Sequence, residues 1–187
     1  MQEDIKKAIE VLRAGGIILY PTDTIWGIGC DATNEDAVKN VYAIKQRAEN
    51  KAMIVLLPSY AMLESYVGDV PEVAFDLMDL SEKPLTIIFE GAKGLAHNLL
   101  GEHDSVGIRI PKDAFLERLL MQFKKPIVST SANVSGTPSP IVFADIVPSI
   151  KDQVDYVVGY GQDNVEPRVP SSILQLKPNG EVKVIRE

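Results

Sequence analysis

The chain has 187 residues, 45% of them apolar, with 19 basic against 26 acidic side chains for a net charge of −7. That apolar content supports one domain with its own core and excludes disorder, while the acidic balance argues against a broad face gripping nucleic-acid phosphates. The lone cysteine, Cys30, excludes an internal disulfide, and no apolar run approaches the roughly 20 residues of a membrane span. No signal-peptide pattern opens the chain, so the expectation is a soluble cytoplasmic protein with no membrane role.

Ile5, Ala8, Ile9 and Leu12 fall at helical spacing, and Gly15-Gly16 stops that helix before the strand-like run Ile17-Ile18-Leu19. Thr33 or Asn34 can cap a second helix reaching about Lys45, with Ala37, Val38, Val41 and Ile44 inward. Met53 to Leu57 reads as a short buried strand, and Pro71 opens another amphipathic helix through Val73, Ala74, Leu77 and Met78. Leu85–Phe89 and Val106–Ile110 are strands, Asp113–Phe123 a helix, and Ile127–Thr130 a strand. Tyr156–Tyr160, Ser172–Leu176 and Val182–Ile185 complete the set, the last two joined as a hairpin across Pro178-Asn179-Gly180. Mixed α/β architecture in a single domain, 1–187, is the expectation.

Chemistry gathers in three places. The run Tyr20-Pro21-Thr22-Asp23-Thr24-Ile25-Trp26-Gly27-Ile28-Gly29 offers hydroxyls and a carboxylate on a segment whose glycines let backbone approach a ligand. Residues 39–51 hold Lys39, Lys45, Arg47 and Lys51 against Glu49 alone, a local surplus of +3 in an acidic chain. Such a cluster suits a small, concentrated anion better than a long polyanion. Ser129-Thr130-Ser131-Ala132-Asn133 ends a strand later on, and the turn-rich stretch Ser135–Pro140 reads as a loop over the site.

Other chemistries are excluded. There is no Gly-x-x-x-x-Gly-Lys-Ser/Thr loop and no Gly-x-Gly-x-x-Gly opening a helix, so nucleotide chemistry needs another scaffold. Two histidines and one cysteine make a zinc site or Cys-His pair improbable. The absence of a histidine base points to phosphoryl-transfer chemistry run by positioning and charge.

The ordered motifs resemble the threonylcarbamoyl-AMP synthase family, with its YrdC-like fold, over nearly the whole chain. The matching pieces are Pro21-Thr22-Asp23-Thr24 with Gly27-Ile28-Gly29, Lys45-x-Arg47 and Lys51, and Ser105-Val106-Gly107-Ile108-Arg109. They continue with Ser131-Ala132-Asn133, Pro138-Ser139-Pro140, Pro170-Ser171-Ser172 and a last strand carrying Arg186. The resemblance implies a twisted mixed sheet with helices around a concave nucleotide-binding pocket. It also implies synthesis of threonylcarbamoyl-AMP and pyrophosphate from threonine, bicarbonate and ATP, for threonylcarbamoylation of tRNA.

Arg47, Lys51 and Arg186 would then meet the ATP phosphates or ribose, with Lys45 adding positive potential and Lys45, Arg47 and Lys51 serving catalysis. Ser105, Ser131, Asn133 and Ser139 would hold the nucleotide, and Thr24, Arg109 and Ser171 the threonine. Mg2+ is expected on the phosphates, with no metal ligated by the protein, and tRNA or tRNA-modification proteins are the implied partners. Plainer structural readings compete: Thr24 closing a turn, Asn133 a cap, Arg109 a solvated strand residue, Arg186 a frayed terminus.

Some positions depart from the family pattern. Ala48 and Ala52 stand where prolines are common, Leu56 where histidine is frequent, Ser81-Glu82-Lys83 for a Trp-Pro-Gly, and Ser172 for threonine. These departures resemble the YciO branch, although Ser131-Ala132-Asn133 is kept. Two rival functions follow: a noncatalytic RNA-binding YrdC-like module, and a carbamoyl-adenylate enzyme with another acceptor.

Overall fold

The computed structural model describes residues 1–48 and 53–187. Helix α1 (Gln2–Arg13) buries Ile5, Ala8, Ile9 and Leu12, with Glu3 and Asp4 in its first turn and Arg13 in its last, each favourable to the helix dipole. Strands β1 (Ile18–Tyr20) and β2 (Gly27–Gly29) follow. Helix α2 (Glu35–Ile44) is capped by Asn34, whose side chain accepts from the amide of Ala37. Then come β3 (Ile54–Leu56), the short α3 (Leu63–Tyr66), α4 (Val73–Leu80), β4 (Leu85–Phe89) and β5 (Val106–Arg109). Helix α5 (Ala114–Phe123) starts where Asp113 accepts from the amides of Phe115 and Leu116. Strand β6 (Ile127–Ser131), α6 (Pro148–Lys151), β7 (Tyr156–Val157), β8 (Ser172–Leu176) and β9 (Val182–Arg186) finish the chain.

The strands form one mixed sheet in the order β7-β1-β2-β6-β3-β5-β4-β8-β9. Strands β8 and β9 pair antiparallel as the expected hairpin, with an irregularity between Ile173 and Leu174. Two expectations change. Strand β2 was not foreseen because Gly-Ile-Gly has low strand propensity; it forms because β1 and β6 flank it on both sides. The strand expected over Tyr156–Tyr160 is only Tyr156–Val157, since the chain bends away through Gly159 and Gly161, the latter at φ 79°.

Strand alternation gives the sheet two unlike faces. One is largely apolar: Ile28, Val55, Ile87, Phe89, Val106, Ile108, Val128 and Leu176 join a large core with residues of α2 and α4. The other is divided. At one end Ile18, Tyr20, Leu56 and Ile127 pack under α1 and α5 against Ile5, Leu12, Phe115, Leu116 and Leu119. Beyond those helices the same strands carry small or polar side chains, and the face opens into a pocket.

Candidate active site

The open part of that face is a concavity of about 720 Å3 including the open space at its mouth. Gly27 of β2, Ser129 and Ser131 of β6, Ile54 of β3 and Arg109 of β5 all reach its lining. Strand β6 explains the placement: with Ile127 turned down under the helices, Ser129 and Ser131 share its face farther along. Glycine is required at position 29 of β2 and is a close fit at position 27. A Cβ at Gly29 would lie 1.8 Å from the carbonyl oxygen of Val128, and one at Gly27 3.3 Å from that of Thr130.

At one end of the pocket, Arg109 is buried to 3% exposure, Thr24 to 4% and Ser171 to 2%. Arg109 donates from Nη1 to Thr24 Oγ1 at 3.0 Å, and its Nη2 lies 3.2 Å from Asp23 Oδ1. Thr22 fixes the turn: its hydroxyl donates to the carbonyl of Ile25 at 2.7 Å and accepts from the amide of Thr24 at 2.9 Å. The 2.8 Å contact between the two threonine hydroxyls therefore has Thr24 as donor, because the single Thr22 proton is engaged. Thr24 Oγ1 keeps an accepting lone pair, which suits an amine. Ser171 Oγ shares a 2.8 Å hydrogen bond with Thr86 Oγ1, and Arg186 donates from Nε and Nη2 to the Ser171 carbonyl at 3.0 and 2.7 Å.

This end is not fully satisfied internally. Arg109 Nε and Asp23 Oδ1 are buried without a hydrogen-bond partner, the Asp23 contact being an ion pair whose angle is poor. Burial pushes the Asp23 carboxyl above its ordinary value, against the pull of Arg109. One η hydrogen on each Arg109 nitrogen stays uncommitted, the donor set a carboxylate ligand needs.

Arg47, Ser131 and Ser139 also line the pocket, as does Arg186 from its place beside Ser171. Lys45 does not, although it lies two residues from Arg47. It is 1% exposed, and its Nζ donates to the carbonyls of Ser131 at 2.5 Å and Asn133 at 2.7 Å, with Asn133 Oδ1 at 3.3 Å. Burial, and to a lesser degree Arg47, push Lys45 down to about 8.

The separation of Lys45 from Arg47 is made at the end of α2. Gln46 takes a left-handed conformation, φ 49°, its amide bonding Ala43 O while the Arg47 amide bonds Tyr42 O. This is a Schellman ending, and it sends the two cations to opposite sides of the wall. Asn133 also lies outside the lining: its Oδ1 accepts from Ser131, and its amide donates to the Thr137 carbonyl at 2.6 Å, bracing the loop toward Ser139.

The structure thus brings Thr24, Arg47, Arg109, Ser131, Ser139, Ser171 and Arg186 to one pocket. Ser105 stands outside it at the head of β5, on the face it shares with Arg109 and about 13 Å away by strand spacing. Lys51 lies outside the described residues. Sequence reasoning did not assign Ser129, which the period-two pattern of β6 could have revealed, nor the role of Asp23 beside Arg109. Arg109 is not a solvated strand residue, and Trp26 packs in the wall against Phe143, ring centroids 4.8 Å apart.

Fold and pocket together define a mixed-sheet α/β protein with an arginine-lined pocket on one face of a twisted open sheet. The chain belongs to the Sua5, YciO and YrdC family, whose model, described as "Telomere recombination", matches residues 10–187. It is 35% identical over 160 residues to the threonylcarbamoyl-AMP synthase of Pseudoalteromonas translucida, covering 84% of this chain and 86% of that one. To the synthase of the same name from Vibrio cholerae it is 33% identical over 159 residues, covering 83% and 85%.

Among solved structures, E. coli YciO matches with TM-score 0.86 at 26% identity over 100% of this chain and 90% of its own. P. abyssi Sua5, solved with L-threonine, matches with TM-score 0.84 at 27% identity over 92% of this chain. The chain spans about half the length of that Sua5.

Proposed function

We propose that this protein is an L-threonylcarbamoyladenylate synthase, joining threonine, bicarbonate and ATP into threonylcarbamoyl-AMP with release of pyrophosphate. The observation that carries the reading is one pocket that gathers two chemically distinct sets: Arg109, Thr24 and Ser171 with Arg186 on the Ser171 carbonyl, and Arg47 with Ser131 and Ser139. The names of the synthase relatives support the same activity.

Arg109 takes the threonine carboxylate on its two free η hydrogens, and Thr24 Oγ1 accepts from the amine. Once that amine has lost a proton and formed the carbamate, from CO2 with loss of a second proton or from bicarbonate with loss of water, the carbamate oxygen attacks the α-phosphate, forming an O–P bond as the bond to pyrophosphate breaks. Two anions must meet, and the arginines neutralise their repulsion in a partly dry site. Among the described residues no three His, Cys, Asp or Glu side chains converge. We therefore assign Mg2+ to the triphosphate as part of the substrate.

Lys45 and Asn133 act here by holding Ser131 and its loop in place. We further propose that residues 1–187 work as one domain in the cytoplasm and that the product serves tRNA threonylcarbamoylation. Among the described residues no helix is long and apolar enough to cross a membrane.

The test is pyrophosphate release. It is expected only with threonine and bicarbonate both present; ATP binding without such release, over a wide range of protein and Mg2+, rejects the synthase reading.

A further inference from the structure

Between Gly161 and Ser171 the chain has neither helix nor strand, and Val165 and Val169 are 75% and 72% exposed. Packing therefore does little to hold this strap. Pro167 and Pro170 restrict Glu166 and Val169 to extended backbone, which makes it stiff without anchoring it. Yet the strap delivers Ser171 to the pocket. It also walls a neighbouring open cavity, about 1120 Å3 including its mouth, that shares Thr24 and Trp26 with the first.

Its anchor is Arg168. Nη1 of Arg168 donates to the main-chain carbonyl of Thr22. Among the described residues, this is the hydrogen bond that ties positions 163–170 to a distant part of the chain. The acceptor is well chosen, because the Thr22 hydroxyl holds the Thr24 amide and the Ile25 carbonyl. One guanidinium thus spans from three residues before Ser171 to two residues before Thr24. A bond from a charged donor is roughly twice as strong as a neutral one.

We propose that Arg168 is a positioning residue that sets the width of the amino-acid end by tying the Ser171 strap to the Thr22–Thr24 turn. It touches neither threonine nor nucleotide. The proposal rests on the reading that Thr24 and Ser171 face threonine, and it adds the residue that sets their separation. Arg109 grips one end of such a ligand; Arg168 keeps the opposing walls at a fixed distance, so its loss enlarges the subsite without changing its chemistry.

Two measurements on the full chain decide it. Hydrogen exchange needs no substrate: in Arg168→Ala the amides of Thr24, bonded to Thr22 Oγ1, and Ser172, bonded to Pro84 O, should both exchange several-fold faster. Amides of β3 and β6 should be unchanged. Faster exchange in the strap with Thr24 unaltered overturns the coupling.

Calorimetric titration with L-threonine and with ATP gives the consequence: about ten-fold weaker threonine binding, ATP within about two-fold, and partial recovery in Arg168→Lys. Equal weakening of both ligands, or no weakening, also overturns it. A wild-type protein that binds ATP but no threonine rejects the threonine reading of the site, while the exchange pair still decides whether Arg168 joins the two walls.

Discussion

The two ends of the pocket are built differently. At the amino-acid end Thr24, Arg109 and Ser171 are almost wholly buried, and each is already hydrogen-bonded to a neighbour. In the part proposed for the nucleotide, Arg47 is half-buried and Ser139 is exposed. The first end is set before any ligand arrives; the second can adjust. A small amino acid offers few contacts, so selectivity must come from geometry fixed in advance, whereas a triphosphate brings enough charge to organise long cationic side chains around itself.

The sharpest way to break this contrast is Arg109→Ala. It leaves the Asp23 carboxylate buried without its cation, and should lower stability by about 3–5 kcal/mol in urea denaturation while abolishing threonine binding. Combining it with Asp23→Asn should return much of the stability and none of the binding. A stable Arg109→Ala protein that still binds threonine would erase the distinction between the ends.

Lys45 beneath Ser131 is the next lever. Its pKa falls from 10.5 in the unfolded chain to about 8 when folded. Between those values the unfolded state binds the extra proton, so stability should rise with pH across that window. The cost of the buried ammonium, about 3 kcal/mol from the shift, is fully present below pH 8 and relieved by about pH 10.5. Thermal melts from pH 8 to 10 should show this rising contribution in the wild type relative to Lys45→Met, which has no group to titrate there. Parallel pH profiles would remove Lys45 from its buried role.

The smallest effect belongs to the adjustable end. Arg47→Ala should fold normally and lower turnover by about ten-fold, the loss expected for one charge contact among several. Normal kinetics would place Arg47 outside the reaction.

Much of this was legible in the sequence. Helices α1, α2 and α5 announced themselves through apolar spacing and capping residues, and the β8–β9 hairpin through Pro178-Asn179-Gly180. Strand β2 was hidden because its glycines serve close backbone approach to β6 instead of propensity. The site was legible as residue types but not as directions. Lys45 and Arg47 read as one cationic pair because charge is visible in a sequence, while the left-handed turn at Gln46 that separates them is not. Asp23 read only as a carboxylate on a glycine-flanked segment; the approach of β5 makes it the partner of Arg109.

The turn at Gln46 also limits how this region can change in length. Two like charges with one residue between them have opposite duties, and a single reversed backbone angle keeps them apart. An insertion or deletion between them would break the turn that delivers the arginine to the pocket while the lysine stays fixed at the end of α2. Point substitutions at position 46 are tolerable in proportion to how well the new residue accepts a left-handed backbone, with glycine the most comfortable. A change in spacing is not, so this stretch should accept new letters far more readily than a new count.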